Sequence, residues 1–286
     1  MSTASNVPAP DGEDQGRQWD RVAAGWKKWW RTIEDAARCV SERMLDLAEV
    51  GPGQRVLDIA TGIGEPALVA ASRVGPAGRV VATDISSRML DIARERAAMS
   101  GLANVEFRQA DAGRLDFPGG SFDAVLCRWG VTSLPNPSNA LATIRRTLAP
   151  DGAFAAAVWS AGADSRPLAS LAAAVAREMF DPPAPRPQAP SLPGSAEDTL
   201  EQAMIHAGFA DVRVEEIGLA LEWVSTEACT QYILDVSPEL VALFAGKSPG
   251  QRAEYRQRLA ERLRPYVLGD GGVRIPNMTI CAAGRR

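Results

Sequence analysis

From Trp19 the apolar positions Trp19, Val22, Trp26, Trp30, Ile33, Ala37, Val40, Met44 and Leu47 recur every three or four residues. That spacing predicts an amphipathic helical preface, broken once, with one apolar stripe. At Gly51-Pro52-Gly53 the period changes. Short, nearly continuous apolar runs over 55–60, 79–84, 105–111, 122–127 and 153–159 read as strands buried on both faces. Helical patterns over 64–74, 86–100 and 138–148 lie between them, and β and α alternating at this spacing predict a parallel sheet covered by helices on both sides. Ligands of such sheets bind at the carboxyl ends of the strands.

After Trp159 the rhythm breaks. The segment 181–190 holds too much proline for a regular element and reads as a surface loop or lid segment. Beyond it the pattern predicts helix 195–207, strand 212–223, helices 226–234 and 249–263, and a last strand over 273–283. No internal repeat is present. The polar, proline-containing residues 1–16 have neither a signal-peptide pattern nor an apolar span and are expected to be disordered.

Composition narrows the function. A formal charge of −4, from 31 basic and 35 acidic residues, offers no basic excess for phosphates and disfavours a nucleic-acid partner. The four cysteines, 39, 127, 229 and 281, are too dispersed for a metal clip or a disulfide scaffold, so a reducing cytoplasm is expected and no metal. His206 is the lone histidine and sits at a predicted helix end, where a histidine needs no catalytic role. Neither Gly-x-Ser-x-Gly nor Tyr-x-x-x-Lys occurs, which removes the common hydrolase and short-chain dehydrogenase schemes.

The chemistry concentrates in Asp58-Ile-Ala-Thr-Gly-Ile-Gly64, a small-residue turn between the first strand and a helix. Gly62 and Gly64 would let backbone approach a ligand, and the helix N-terminus favours a negative group on it. The same stretch, read on to Ala67 with Asp84 beyond, also matches a dinucleotide fingerprint. Charge separates the alternatives. Asp58 would repel a pyrophosphate but suits the ammonium of S-adenosylmethionine, directly or through water.

With Thr83-Asp-Ile-Ser86, Gln109-Ala-Asp-Ala112, 115–123 and Leu148-Ala-Pro-Asp-Gly152 following in order, residues 50–160 resemble the class I S-adenosylmethionine-dependent methyltransferases, closest to the ubiquinone and menaquinone branch. Ala60 stands where the family commonly has glycine, a change that costs little if φ stays negative. Asp116 replaces the usual proline and Asp151 the usual glycine. The resemblance implies a doubly wound, mostly parallel seven-stranded α/β sheet of Rossmann-like methyltransferase type, with N-terminal helices and a helical lid insertion. It divides the chain into a tail (1–16), a helical lid (17–50), a cofactor-binding core (51–160), and a lid insertion completing the sheet (161–286).

It also implies site residues. Asp58, Ala60, Gly62 and Gly64 would form the first loop, Asp84 would take the ribose hydroxyls, Ile85 and Met89 would flank adenine, and Asp111 with Ala112 would meet its amino edge. Arg128 would lie beside the methionine moiety and acceptor. Four of seven tryptophans fall between 19 and 30; Trp29 and Trp30, about 100° apart on a helix, cannot share one core face, so one is available to a ligand. Trp29, Trp30, Trp129, Trp159 and Arg128 are the acceptor-site candidates. The expected activity is methyl transfer to carbon or oxygen of a small, largely apolar acceptor such as a secondary metabolite, quinone or isoprenoid-like molecule. A nicotinamide-dependent oxidoreductase and a non-catalytic S-adenosylmethionine-binding protein are the alternatives. No integral membrane contact is expected, and a homodimer is left open.

Overall fold

The computed structural model describes residues 12–131, 137–160, 165–180 and 200–286. Helix α1 (Gly12–Leu47) is a single run of 36 residues, where one break was expected; with no proline inside it, nothing removes a backbone donor and the apolar stripe stays continuous. It also begins within the stretch expected to be disordered, since residues 12–16 are helical. The other residues of that tail lie outside the described ones.

The sheet has the order β3-β2-β1-β4-β5-β7-β6. Its parallel part comprises β1 (Arg55–Ile59), β2 (Arg79–Asp84), β3 (Val105–Gln109), β4 (Phe122–Arg128) and β5 (Leu148–Trp159). Strand β7 (Val273–Arg285) runs antiparallel to both β5 and the edge strand β6 (Ala210–Trp223). Helices α2 (Ala67–Val74), α3 (Ser87–Met99) and α4 (Pro137–Thr147) make the crossovers. One core lies under α1 and α2 and the other under α4 and α6 (Leu200–His206), with Val56, Ala82 and Leu126 facing the first and Leu57, Val81 and Val125 the second. Alternation of faces along buried strands explains why they read as continuous apolar runs.

Helix α2 starts three residues later than its pattern suggests. Pro66 disfavours helical backbone at Glu65, so 60–66 remain a turn. Beyond Trp159, α5 (Pro167–Phe180) and α8 (Pro238–Phe244) are helices the sequence reading missed. With α7 (Thr226–Val236) and α9 (Pro249–Arg262) they form a third cluster around Tyr255, Leu259 and Phe244. The proline-rich 181–190 and the start of the helix predicted at 195 lie outside the described residues. Among the described residues, no helix is long and apolar enough to cross a membrane.

Candidate active site

Strand order reverses between β1 and β4, and the crevice outside their carboxyl ends is where a doubly wound sheet can hold a ligand without breaking its ladder. A cleft lies there. Its wall includes Ala60, Thr61, Gly62 and Ile63 from the first turn, Asp84, Ile85 and Met89 after β2, Ala110, Asp111 and Ala112 after β3, and Arg128, Trp129 and Gly130 after β4.

Asp84 is the hub of this turn. Its Oδ2 accepts from the Gly62 amide at 2.8 Å and its Oδ1 from the Ser86 amide at 2.9 Å. The carboxylate thus ties the β1 turn to the β2 turn and keeps lone pairs for a diol. Burial pushes its pKa up to about 6, against the pull of those amides. Gly62 has φ +56, and a Cβ added there would meet nothing within 4 Å, so its face is open to the cleft.

Two members of the first motif act from behind the wall. Asp58 is fully buried, and its Oδ2 accepts from the Ala67 amide at 3.0 Å, closing the N-terminus of α2. Burial raises its pKa to about 7, opposed first by the hydroxyl of Thr61. Gly64, with φ +113, faces Leu68 and Ala93 and serves helix packing, not the cleft wall. Ala60 overturns the expectation of a negative φ: at +56 it sits in the left-handed region, which costs an alanine about 1–2 kcal/mol. The turn needs that conformation to reverse from β1 toward the cleft.

Arg128 is 8% exposed. It donates to both oxygens of Glu34, at 2.6 and 2.9 Å, and to the Ser41 hydroxyl at 2.9 Å. Its counter-charge is therefore a half-buried acid of α1, a residue the sequence reading did not single out because α1 could not be registered against β4. A second buried pair, Arg96 with Glu65 at 2.9 Å, closes the turn below, and Arg96 also donates to the Ile63 carbonyl at 2.7 Å.

The tryptophans are redistributed. Trp19 and Trp26, with Gln15, line the cleft, whereas Trp29 and Trp30 do not. Trp29 meets Tyr232 edge-on at 5.8 Å and donates to Asp235 at 2.8 Å. Trp30 lies between the guanidinium groups of Arg31 and Arg96 at 4.9 and 4.7 Å. The helix does present different faces, but the second one meets α7 instead of a ligand. Trp129 is in the wall, held at φ +61, and Trp159 stacks behind it at 4.2 Å and 14°. The apolar stripe separates Trp29 from Trp19 and Trp26 but not Trp30, which lies on the stripe and packs in the same cluster yet does not reach the cleft.

Asp20 of α1 accepts from the Ser86 hydroxyl at 2.6 Å, two residues from Asp84, so this helix bears on the β2 turn. Asp111 Oδ1 accepts from the Gly113 amide at 2.8 Å and shapes the next turn. Among the described residues no cluster of His, Cys, Asp and Glu has metal-binding geometry. His206 is exposed at the end of α6, away from these residues.

The donor set fits S-adenosylmethionine and disfavours a pyrophosphate. Asp84, beside the open backbone of Gly62, presents a carboxylate to the cleft, and Asp58 stands buried behind it. Ile85, Met89, Trp19 and Trp26 supply apolar walls for a flat ring.

Comparisons with known proteins agree. A family model described as a methyltransferase domain matches residues 56–152. The ubiquinone/menaquinone biosynthesis C-methyltransferase UbiE of Ectopseudomonas mendocina is 44% identical over 107 residues, covering 37% of this chain and 42% of the relative. That of Ectopseudomonas oleovorans is 41% identical over 132 residues, 46% of this chain and 72% of the relative. The chain spans about half the length of the first relatives it matches. Among solved structures, the [4+2]-cyclase SpnF aligns over 98% of this chain and 97% of its own, with a TM-score of 0.60 at 20% identity, a likeness of fold. By motif, fold and relatives, this chain belongs to the class I S-adenosylmethionine-dependent methyltransferases.

Proposed function

We propose that this protein transfers the methyl group of S-adenosylmethionine to carbon or oxygen of a small, largely apolar acceptor. The relatives' names favour carbon and a quinone-related ring. The observation that carries the reading is the Asp84 carboxylate, buried and fixed by two backbone amides beside the open Gly62 turn, with Asp58 behind it. Asp84 would hold the ribose hydroxyls, Ile85 and Met89 would flank the adenine, and Asp111 and Ala112 would meet its edge. Arg128 and Trp129 would border the methionine end.

When bound, the cofactor supplies a sulfonium-activated methyl group. The chain's own contribution is placement: the Asp84 turn fixes one end of the cleft, and the Trp19, Trp26 and Trp129 side chains narrow it and exclude water. The neutralised Arg128–Glu34 pair leaves the border free of an uncompensated charge that would repel a sulfonium. In this reading the enzyme acts in the cytoplasm, and α1 is a lid over the cofactor as much as over the acceptor.

Saturating S-adenosylmethionine at about 100 times its Kd should stabilise the protein by about 2.7 kcal/mol, seen as a raised melting temperature, with NAD giving no shift. Mass-spectrometric detection of one added methyl group across a panel of quinols, phenols and isoprenoid alcohols tests turnover. A shift with NAD alone would overturn the reading. A second reading is a cofactor-binding protein of this fold that transfers no methyl group, since a fold shared with a [4+2]-cyclase does not fix the reaction. Binding without methylation of any panel member, together with conversion of one at unchanged methyl count, would favour it.

A further inference from the structure

Four side chains form a ladder leading away from the cofactor cleft. The Arg128 guanidinium lies over Trp129 at 4.8 Å, Trp129 stacks on Trp159 at 4.2 Å, and the Arg166 guanidinium lies over the Trp159 ring at 5.0 Å. The ladder is fixed on both sides. Trp129 Nε1 donates to the Thr279 hydroxyl at 3.0 Å, and Thr279 donates to the Val158 carbonyl at 2.7 Å. Arg166 is placed by its neighbour Ser165, whose carbonyl accepts from the Met278 amide at 3.0 Å, immediately before α5.

The two cations at the ends differ in one respect. Arg128 is answered by both oxygens of Glu34. Arg166, partly buried, has no carboxylate within ion-pair distance among the described residues and makes no side-chain hydrogen bond to them. Burial lowers its pKa from the ordinary arginine value, opposed by Tyr232 of α7 and Glu239 of α8, the ionisable groups that face it. Withdrawing a guanidinium from water without a counter-ion costs more than stacking on one indole returns. Stacking alone does not explain the site.

Resting on the methyl-transfer reading, we infer that Arg166 is a specificity residue that receives an oxyanion of the acceptor, a carboxylate or an ionised phenol, at the end of the Trp129–Trp159 stack away from Arg128. The acceptor's apolar body then runs along the indole edges toward the cofactor cleft, and its anionic group meets the one cation there that lacks a partner among the described residues. An arginine fork suits such a group, since two parallel N–H donors match two oxygens of a carboxylate. Arg128 cannot play this part, because Glu34 already takes its donors.

The test uses the full chain saturated with S-adenosylhomocysteine and calorimetric titration of matched probes at pH 8: benzoate against benzamide, 2-naphthoate against 2-naphthamide, and 4-nitrophenol against 4-nitroanisole. At least one anion should bind about tenfold or more tightly than its neutral match, the winning pair telling carboxylate from phenolate. Arg166→Gln should reduce that preference to about threefold or less, with the S-adenosylmethionine Kd unchanged; Arg166→Lys should keep part of it. Should Arg166→Gln not fold, Arg166→Met, which keeps an apolar stem on Trp159, takes its place. No anion preference in any pair, or a preference surviving in the neutral variants, overturns the inference. Absence of any anion preference in a wild-type chain that binds S-adenosylmethionine sinks this inference alone, whereas failure of the wild-type chain to bind S-adenosylmethionine sinks the methyl-transfer reading.

Discussion

Acidification should move cofactor affinity and stability in opposite directions, and Asp84 is the reason. Its carboxyl titrates near pH 6 in the folded chain against an ordinary value of 3.8. The sign follows from proton counting: between these values the folded state holds the proton that the unfolded chain has released, so the cofactor-free protein gains stability as pH falls toward 3.8. For this one group the gain between pH 7 and pH 5 is about 1.3 kcal/mol, because the folded carboxyl takes up nearly a full proton and the unfolded one almost none. Ribose hydroxyls need the ionised form, so affinity should fall by up to about tenfold per pH unit below 6. Adenosine is the clean probe, since it carries the ribose and stays uncharged across this range. Calorimetric titration of adenosine at pH 7.5, 6.5, 5.5 and 5.0, beside urea melts of the same samples, reads both arms. Asp58 and Glu65 are also raised by burial and would add to the stability arm, so the decisive quantity is the difference between wild type and Asp84→Asn. The variant should bind adenosine about tens-fold more weakly at pH 7.5 and lose the pH dependence of affinity. Flat adenosine affinity in the wild type between pH 7.5 and 5.0, or an unchanged Kd in folded Asp84→Asn, would refute the assignment of the ribose to Asp84.

Three further outcomes follow from the same contacts. Deleting residues through Arg31 should lower the melting temperature and abolish S-adenosylmethionine binding and turnover together, because Gln15, Trp19 and Trp26 line the cofactor cleft and Asp20 holds Ser86; retained cofactor affinity in a folded truncation would show α1 to cover the acceptor alone. Glu34→Ala strands Arg128 in the interior and should destabilise by about 3–5 kcal/mol in urea unfolding, whereas Glu34→Leu with Arg128→Met should recover much of that loss. Ala60→Gly relieves a left-handed alanine and should raise the melting temperature, with a gain of about 1 kcal/mol; a loss would mean that the methyl group packs more than the backbone strains.

The order of elements from β1 to β5 was legible in the chain because buried parallel strands and amphipathic crossovers carry different periods, 2 or none against 3.6. The first-turn glycines and Asp84 were legible too, since a tight βα turn and a strand-end acid need those residue types locally. Three things were settled only in three dimensions. Asp58 and Gly64 belong to the motif, yet one closes α2 and the other packs against Leu68 and Ala93, a division that depends on which way a side chain leaves the turn. Whether Ala60 is strained depends on the path the chain must take from β1, which no composition records. Which tryptophans of α1 meet the cleft, and which acid answers Arg128, depends on the register of a 36-residue helix against a sheet distant in sequence. Periodicity fixes the face of a helix to within its own axis; the rotation and translation of that axis over the sheet come from packing, and they seat Trp19, Trp26 and Glu34 at the site while sending Trp29 to Tyr232 and Asp235.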